Sequence, residues 1–205
     1  MKKILCYGDS NTFGYIPVSG ERYDENTRWT GILQSILGKD YAIIEEGMCD
    51  RTGFVNNPKG FVFSAPRHFP KLIAKSSDVD ILILSVGTND LQFQYDISYG
   101  AIERGLETLI VEARKYIHNI VLIPSVILEE NILEGFFKIQ FDETSVVKSK
   151  KVGKIYRKLA GLYGCKLFDI NEFVKPSQED GLHYSIEGHR LIAEKLAEFI
   201  KGNFN

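Results

Sequence analysis

The chain has 205 residues, 44% of them hydrophobic, enough to bury one full core, and its 25 Lys and Arg nearly balance 27 Asp and Glu for a formal charge of -2. That balance supplies no basic field for a phosphate backbone or an anionic lipid surface, so neither nucleic acid nor a membrane is an expected partner. Cys6, Cys49 and Cys165 have neither framework nor metal-site spacing, the apolar run after Met1-Lys2-Lys3 is too short for a signal segment, and no stretch approaches the roughly 20 residues of a membrane helix, so the expectation is one domain over 1–205 in a reducing, cytoplasmic setting.

Taken in order, short apolar runs alternate with longer patterns of helical period. A first strand over 3–7 (KILCY) gives way at once to Gly8-Asp9-Ser10-Asn11. A helix over 29–37 follows, stopped by Gly38, and then a second strand over 41–46 (YAIIEE) that opens a long connection, 47–66, beginning with Gly47 through Arg51. After a helix over 69–75, a third strand over 80–86 (DILILSV) delivers Gly87-Thr88-Asn89-Asp90. A helix over 102–117 leads to a fourth strand over 119–124 (NIVLIP) and a second long connection, 125–143. A helix over 146–163 ends at Gly164, and the fifth strand occupies 166–170 (KLFDI). Asp180-Gly181-Leu182-His183 precedes the closing helix, over 186–201, which Ser185 caps and Gly202 ends. Strands separated by helices predict βαβ units, hence an α/β fold: a single three-layer α/β/α domain with a flavodoxin-like five-stranded parallel sheet and helices on both faces.

Open parallel sheets bind ligands beyond the carboxyl ends of their strands, and there this chain collects a hydroxyl, loop amides, a carboxamide, and a carboxylate three residues before an imidazole. A serine hydroxyl becomes nucleophilic when a histidine takes its proton and a carboxylate fixes the tautomer of that histidine. Ser10, His183 and Asp180 are the parts. Acyl transfer also needs donors for the developing oxyanion, and Asn89, the Ser10 N–H and an amide of the 47–51 loop are the candidates. Any one of these short motifs arises readily by chance; their placement after successive strands carries the reading.

At these residues the sequence resembles the SGNH hydrolases, also called the GDSL family of esterases and lipases. The similarity is greatest to the arylesterase and acyltransferase-like branch, through YGDSNTFGY, RWTG at 28–31, IIEEGMCDRT at 43–52, VGTND at 86–90 and DGLHYSIEGH at 180–189. The resemblance implies a serine esterase that hydrolyses or transfers a small acyl group such as acetyl through an acyl-enzyme, with a small-molecule ester substrate and no metal or cofactor. It implies Ser10 as nucleophile, Asp180 and His183 as its partners, and Ser10, Asp50 and Asn89 as oxyanion donors. Two departures stand out. The serine block reads GDSN, and Asn11 is expected to contribute mainly packing. Asp50 stands where the family has a glycine; its N–H can still donate, but its carboxylate must turn outward or be paired, with Arg51 as the neighbouring partner.

Asp9 is expected to support the serine loop, and His68, His118 and His189 to be ordinary polar residues. Trp29 either packs in the core or walls the pocket, with packing favoured. The apolar stretch 126–141, with Phe136 and Phe137, is a candidate for the acyl-pocket wall or for a contact within a homo-oligomer; its rival is a short amphipathic helix covering the sheet. Within the family, a carbohydrate acetylesterase or a lysophospholipase would use the same groups. A non-catalytic flavodoxin-like module that cradles a phosphate or cofactor is the reading from another class, but it lacks both glycine-rich phosphate motifs and leaves Asp180 and His183 without a role. An α/β-hydrolase would need a G-x-S-x-G elbow, which the chain does not contain.

Overall fold

In the computed structural model, which describes residues 1–204, five strands form one sheet. β1 (Lys2–Gly8) pairs with β2 (Tyr41–Gly47) on one side and β3 (Ile81–Ser85) on the other; β4 (Asn119–Leu122) and β5 (Lys166–Leu167) complete the order β2-β1-β3-β4-β5, every pair parallel. Ile4, Leu5, Cys6 and Tyr7 of β1 and Ile81, Leu82, Ile83 and Leu84 of β3 are buried, as the continuous apolar runs require of strands covered on both faces. The chain steps from β1 to β2 in one direction and from β2 past β1 to β3 in the other. Because such crossovers are right-handed, the connecting helices fall on opposite faces, and the reversal leaves a crevice at the carboxyl ends of β1 and β3. α2 (Trp29–Leu37) packs on α6 (Ile186–Asn203), while α4 (Tyr99–Arg114) packs on both α3 (Ala65–Ile73) and α5 (Glu143–Tyr163). No described helix is long and apolar enough to cross a membrane.

Register places the site. Gly8 pairs with both Gly47 and Ser85, so three strands end level, and the chain turns immediately into α1 (Ser10–Phe13), which lies back over those ends. A Cβ on Gly8 would sit 2.0 Å from Thr12 Oγ1, and one on Gly47 would sit 2.3 Å from the Phe13 nitrogen. Only glycine permits that approach.

The predicted elements are all present, with shifts at their ends. α3 begins at Ala65, four residues before the expected helix at 69, because Pro66 in the first turn has no intrahelical N–H to lose. Ser98 caps α4 by accepting the Ala101 N–H, and Asp142 and Ser145 cap α5 reciprocally, so both helices start three residues earlier than the apolar periodicity indicated. α6 runs past Gly202 to Asn203. β5 keeps only two of the five residues expected of it, since Asp169 caps a short 3-10 turn that carries the chain away from the sheet edge. The stretch 126–141 is neither a single helix nor an open loop: it contains two 3-10 turns, Glu130–Leu133 and Phe136–Ile139.

His189 is more than an ordinary polar residue. Fully buried on α6, its ring meets Tyr23 and Tyr184 edge-on, Nδ1 accepts the Trp29 N–H at 3.3 Å, and Nε2 has no partner among the described residues. Burial pushes its pKa down to about 3, with nearby His183 acting in the same direction. Because that value lies below the ordinary histidine value, the neutral ring contributes stability that is complete above about pH 6.5 and is lost as pH falls toward the folded value. The urea midpoint should therefore drop between pH 7 and pH 4, and by less in His189→Gln; an equal drop in the variant would assign the acid sensitivity elsewhere.

Candidate active site

The serine loop is held from three directions. Asp9 caps α1 by accepting the Asn11 N–H at 3.1 Å. Burial raises the Asp9 carboxyl, while that N–H and the charges of His183 and Arg51 pull the other way. Trp29 lies beneath the loop, 2% exposed, and donates from Nε1 to the Asn11 carbonyl at 3.0 Å, so of its two expected roles it has the packing one and does not wall the cavity. Asn11 does more than pack. Its buried carboxamide donates to the Leu182 carbonyl at 3.2 Å and accepts the Tyr184 N–H at 3.2 Å, stitching the start of the chain to residues flanking His183.

Those two bonds bring Ser10 and His183 together. Ser10 Oγ lies 2.9 Å from His183 Nε2, and His183 Nδ1 lies 2.7 Å from Asp180 Oδ2. The other oxygen, Asp180 Oδ1, accepts the N–H groups of Leu182 and His183, each at 2.9 Å. All three side chains are buried, Ser10 least so. With both carboxylate oxygens engaged and Nδ1 facing an acceptor, the imidazole carries its proton on Nδ1 and presents a bare Nε2 to the serine hydroxyl. Tyr15 stacks on the His183 ring with centroids 4.1 Å apart, and Phe137 closes in from elsewhere at 5.3 Å, leaving the ring little room to turn.

A second loop, after β2, is shaped by two buried charged residues. Arg51 does not pair with Asp50. Its guanidinium lies 4.2 Å from the Tyr7 ring and donates to the carbonyls of Val62 at 3.1 Å, Gly8 at 3.0 Å and Glu46. Asp90 accepts the N–H groups of Gly53, Phe54 and Val55 at 2.5, 2.7 and 2.9 Å; burial pushes its carboxyl up to about 6 against the pull of those donors. Asp50, at φ +60°, takes the left-handed conformation, which aspartate tolerates better than most residues, and Lys59 Nζ lies 2.6 Å from its carboxylate. The expected pairing exists, with Lys59 in place of Arg51.

Ser10, Asp50 and Asn89 line one cavity of about 240 Å³, together with Tyr15, Cys49, Lys59, Phe136, Phe137, Gln140, Leu182 and His183. Among the described residues neither the Ser10 nor the Asp50 N–H meets an acceptor. Asn89 Nδ2 spends one hydrogen on the Arg51 carbonyl at 3.1 Å, and Gln92 donates to its oxygen at 3.1 Å, which settles which way the carboxamide points. Three donors are thus free around a space beside the serine. The Cys49 thiol is pushed up to about 11, chiefly by burial and next by Asp50, so it stays protonated at neutral pH. The side chains to which sequence patterns gave no role at the site are Tyr15, Lys59 and Asp90, and the roles expected of Asn11 and Arg51 were different ones: Asn11, Tyr15, Arg51 and Asp90 sit inside the recognised blocks, whereas nothing local marks Lys59.

The profile of the GDSL-like lipase/acylhydrolase family matches residues 6–191, nearly the whole chain. The chain belongs to that family. Among solved structures, the inhibitor-bound form of M. smegmatis aryl esterase is 26% identical, with a TM-score of 0.90 over 98% of this chain and 99% of that one. Est24, a carbohydrate acetylesterase from Sinorhizobium meliloti, is 26% identical, with a TM-score of 0.86 over the full length of both chains. No curated protein matches by sequence. As a GDSL-family member the chain is an esterase of the hydrolase class, acting on small-molecule esters.

Proposed function

We propose that this single-domain, cytoplasmic esterase removes a small acyl group, acetyl first among them, from an ester through a Ser10–His183–Asp180 triad and an acyl-enzyme, releasing it to water or to a second alcohol. The observation that carries the reading is the 2.9 Å approach of Ser10 Oγ to His183 Nε2. Ser10 attacks the ester carbonyl as His183 takes its proton, and Asp180 accepts the Nδ1–H and steadies the imidazolium that forms. The carbonyl oxygen moves among the unpaired N–H groups of Ser10 and Asp50 and the second hydrogen of Asn89 Nδ2. Each such donor is worth about 2.7 to 4 kcal/mol in the transition state of a comparable acyl transfer. His183 then protonates the departing alcohol, and the incoming water or alcohol is activated by the same base.

A cavity of only about 240 Å³, lined by Tyr15, Phe136 and Phe137, supports a short acyl group over a long chain, because so small a volume holds few carbons beside the serine. Phe136, also in the lining, is 73% exposed, which suits contact with the alcohol half of the ester. Treatment with a small alkyl phosphonate ester should add one phosphonyl group to Ser10, as read by mass spectrometry of the peptide, in parallel with loss of chromogenic acetyl-ester turnover. An unlabelled Ser10 in a protein that still turns over the ester would end the nucleophile assignment.

A further inference from the structure

An aspartate lining the cavity beside the nucleophile poses an electrostatic problem, since negative charge develops on the substrate oxygen close by. Asp50 is gripped at two points by one short turn. Asn57, 5% exposed, donates from Nδ2 to the Asp50 carbonyl at 2.7 Å, and its Oδ1 accepts the Lys59 N–H at 2.9 Å. Lys59 in turn places Nζ 2.6 Å from Asp50 Oδ2. A single buried carboxamide therefore ties the Asp50 carbonyl to the backbone of the lysine that meets its carboxylate.

We propose that Lys59, set by Asn57, is a positioning residue for ester turnover: it holds the Asp50 carboxylate out of the oxyanion space and balances its charge while the Asp50 N–H donates. This rests on the oxyanion reading above. Asp50 and Lys59 both line the cavity, and their side chains are 33% and 54% exposed, so the effect is moderated by water. A carboxylate left unpaired in the same small cavity opposes a nearby negative charge at partial solvent exposure and slows the step by about tenfold. The backbone of Asp50 persists in the conformation that Asn also adopts without strain.

The experiment is a salt-resolved mutant cycle on a chromogenic acetyl ester. Lys59→Ala should lower kcat about tenfold at low ionic strength with little change in KM, and part of the loss should return as salt rises, because counter-ions screen the exposed carboxylate. Lys59→Arg should keep most of the activity. Asp50→Asn combined with Lys59→Ala should recover most of what Lys59→Ala loses, since no charge is left to balance. A lysine with a merely structural role predicts a loss that neither salt nor the second substitution relieves, and that result, or a Lys59→Ala enzyme with undiminished kcat, overturns the proposal. Phosphonate labelling of Ser10 in the same variants separates this failure from that of the triad: a labelled Ser10 with no salt-dependent loss rejects the lysine's role alone.

Discussion

Ser10→Ala, His183→Ala and the double variant are expected to lose kcat by about the same factor, on the order of 10^6, because the two groups act as one unit and the second removal takes away nothing that the first left working. The geometry behind this is the single 2.9 Å contact between Oγ and Nε2, made by two buried side chains: among the described residues no other side-chain base meets the serine hydroxyl, the Cys49 thiol is neutral, and the Asp50 carboxylate and Lys59 are occupied by each other. Asp180→Asn tests the same unit from its far end and should cost about 10^4. Asp180 Oδ1 already accepts two backbone N–H groups, so an asparagine there keeps its oxygen on them and turns its amide toward Nδ1. The imidazole must then move its proton to Nε2, where it faces the serine as a donor and cannot act as a base. Steady-state turnover of an acetyl ester, at protein concentrations fixed by absorbance and with folding checked by circular dichroism, measures all four proteins. A double variant far below either single one, or an Asp180→Asn enzyme at full rate, would show that the residues do not work together.

What was legible in the sequence follows from how each feature is encoded. The strands and the polar blocks that follow them are written locally, and four strands, the start of the fifth, and Ser10, Asn89, Asp180 and His183 lie where those patterns put them. Helix starts were misjudged where the cap lies outside the apolar stripe, as with Ser98 and Asp142, because periodicity registers burial and not backbone hydrogen bonding. The largest misreadings concern residues whose partners are distant in the chain. Asn11 looked like packing because its carbonyl and N–H partners are 171 and 173 residues away. His189 reads as an ordinary polar residue because a histidine on a helix usually is one, while here two tyrosines and the start of α2 close over it. Arg51 was read from its neighbour Asp50, yet the left-handed turn at Asp50 sends the two side chains to different partners, Lys59 for one and a set of strand-end carbonyls for the other.

Arg51 supports the second large prediction. Its side chain is among the largest fully buried ones, 1% exposed, and it joins the ends of two strands to the following loop: Gly8 of β1, Glu46 of β2 and Val62. The ring of Tyr7 lies under its guanidinium, and the Glu46 carboxylate, 32% exposed, is 3.9 Å away. Arg51→Met keeps much of the apolar stem but removes every donor. The Gly8 carbonyl is then buried without this partner, the charge-assisted bonds are lost, and Glu46 recovers some of its hydration because it is partly exposed. The net cost should be about 3 to 5 kcal/mol, a large share of the roughly 5 to 15 kcal/mol by which such a domain is folded. For a chain of this length that corresponds to a fall in Tm of about 10 °C. Turnover should suffer even where the variant is folded, because the Arg51 carbonyl is what Asn89 Nδ2 holds at 3.1 Å and the next residue back is Asp50. Arg51→Lys should fall between the two, since one ammonium cannot reach three carbonyls in different directions as the planar fork does. Thermal unfolding together with kcat measured well below the variant Tm separates the two effects. A Tm within about 2 °C of the parent would mean that the loop and strand ends hold their shape without the guanidinium, and the account of how Asp50 and Asn89 are presented to the serine would have to be rebuilt on other contacts.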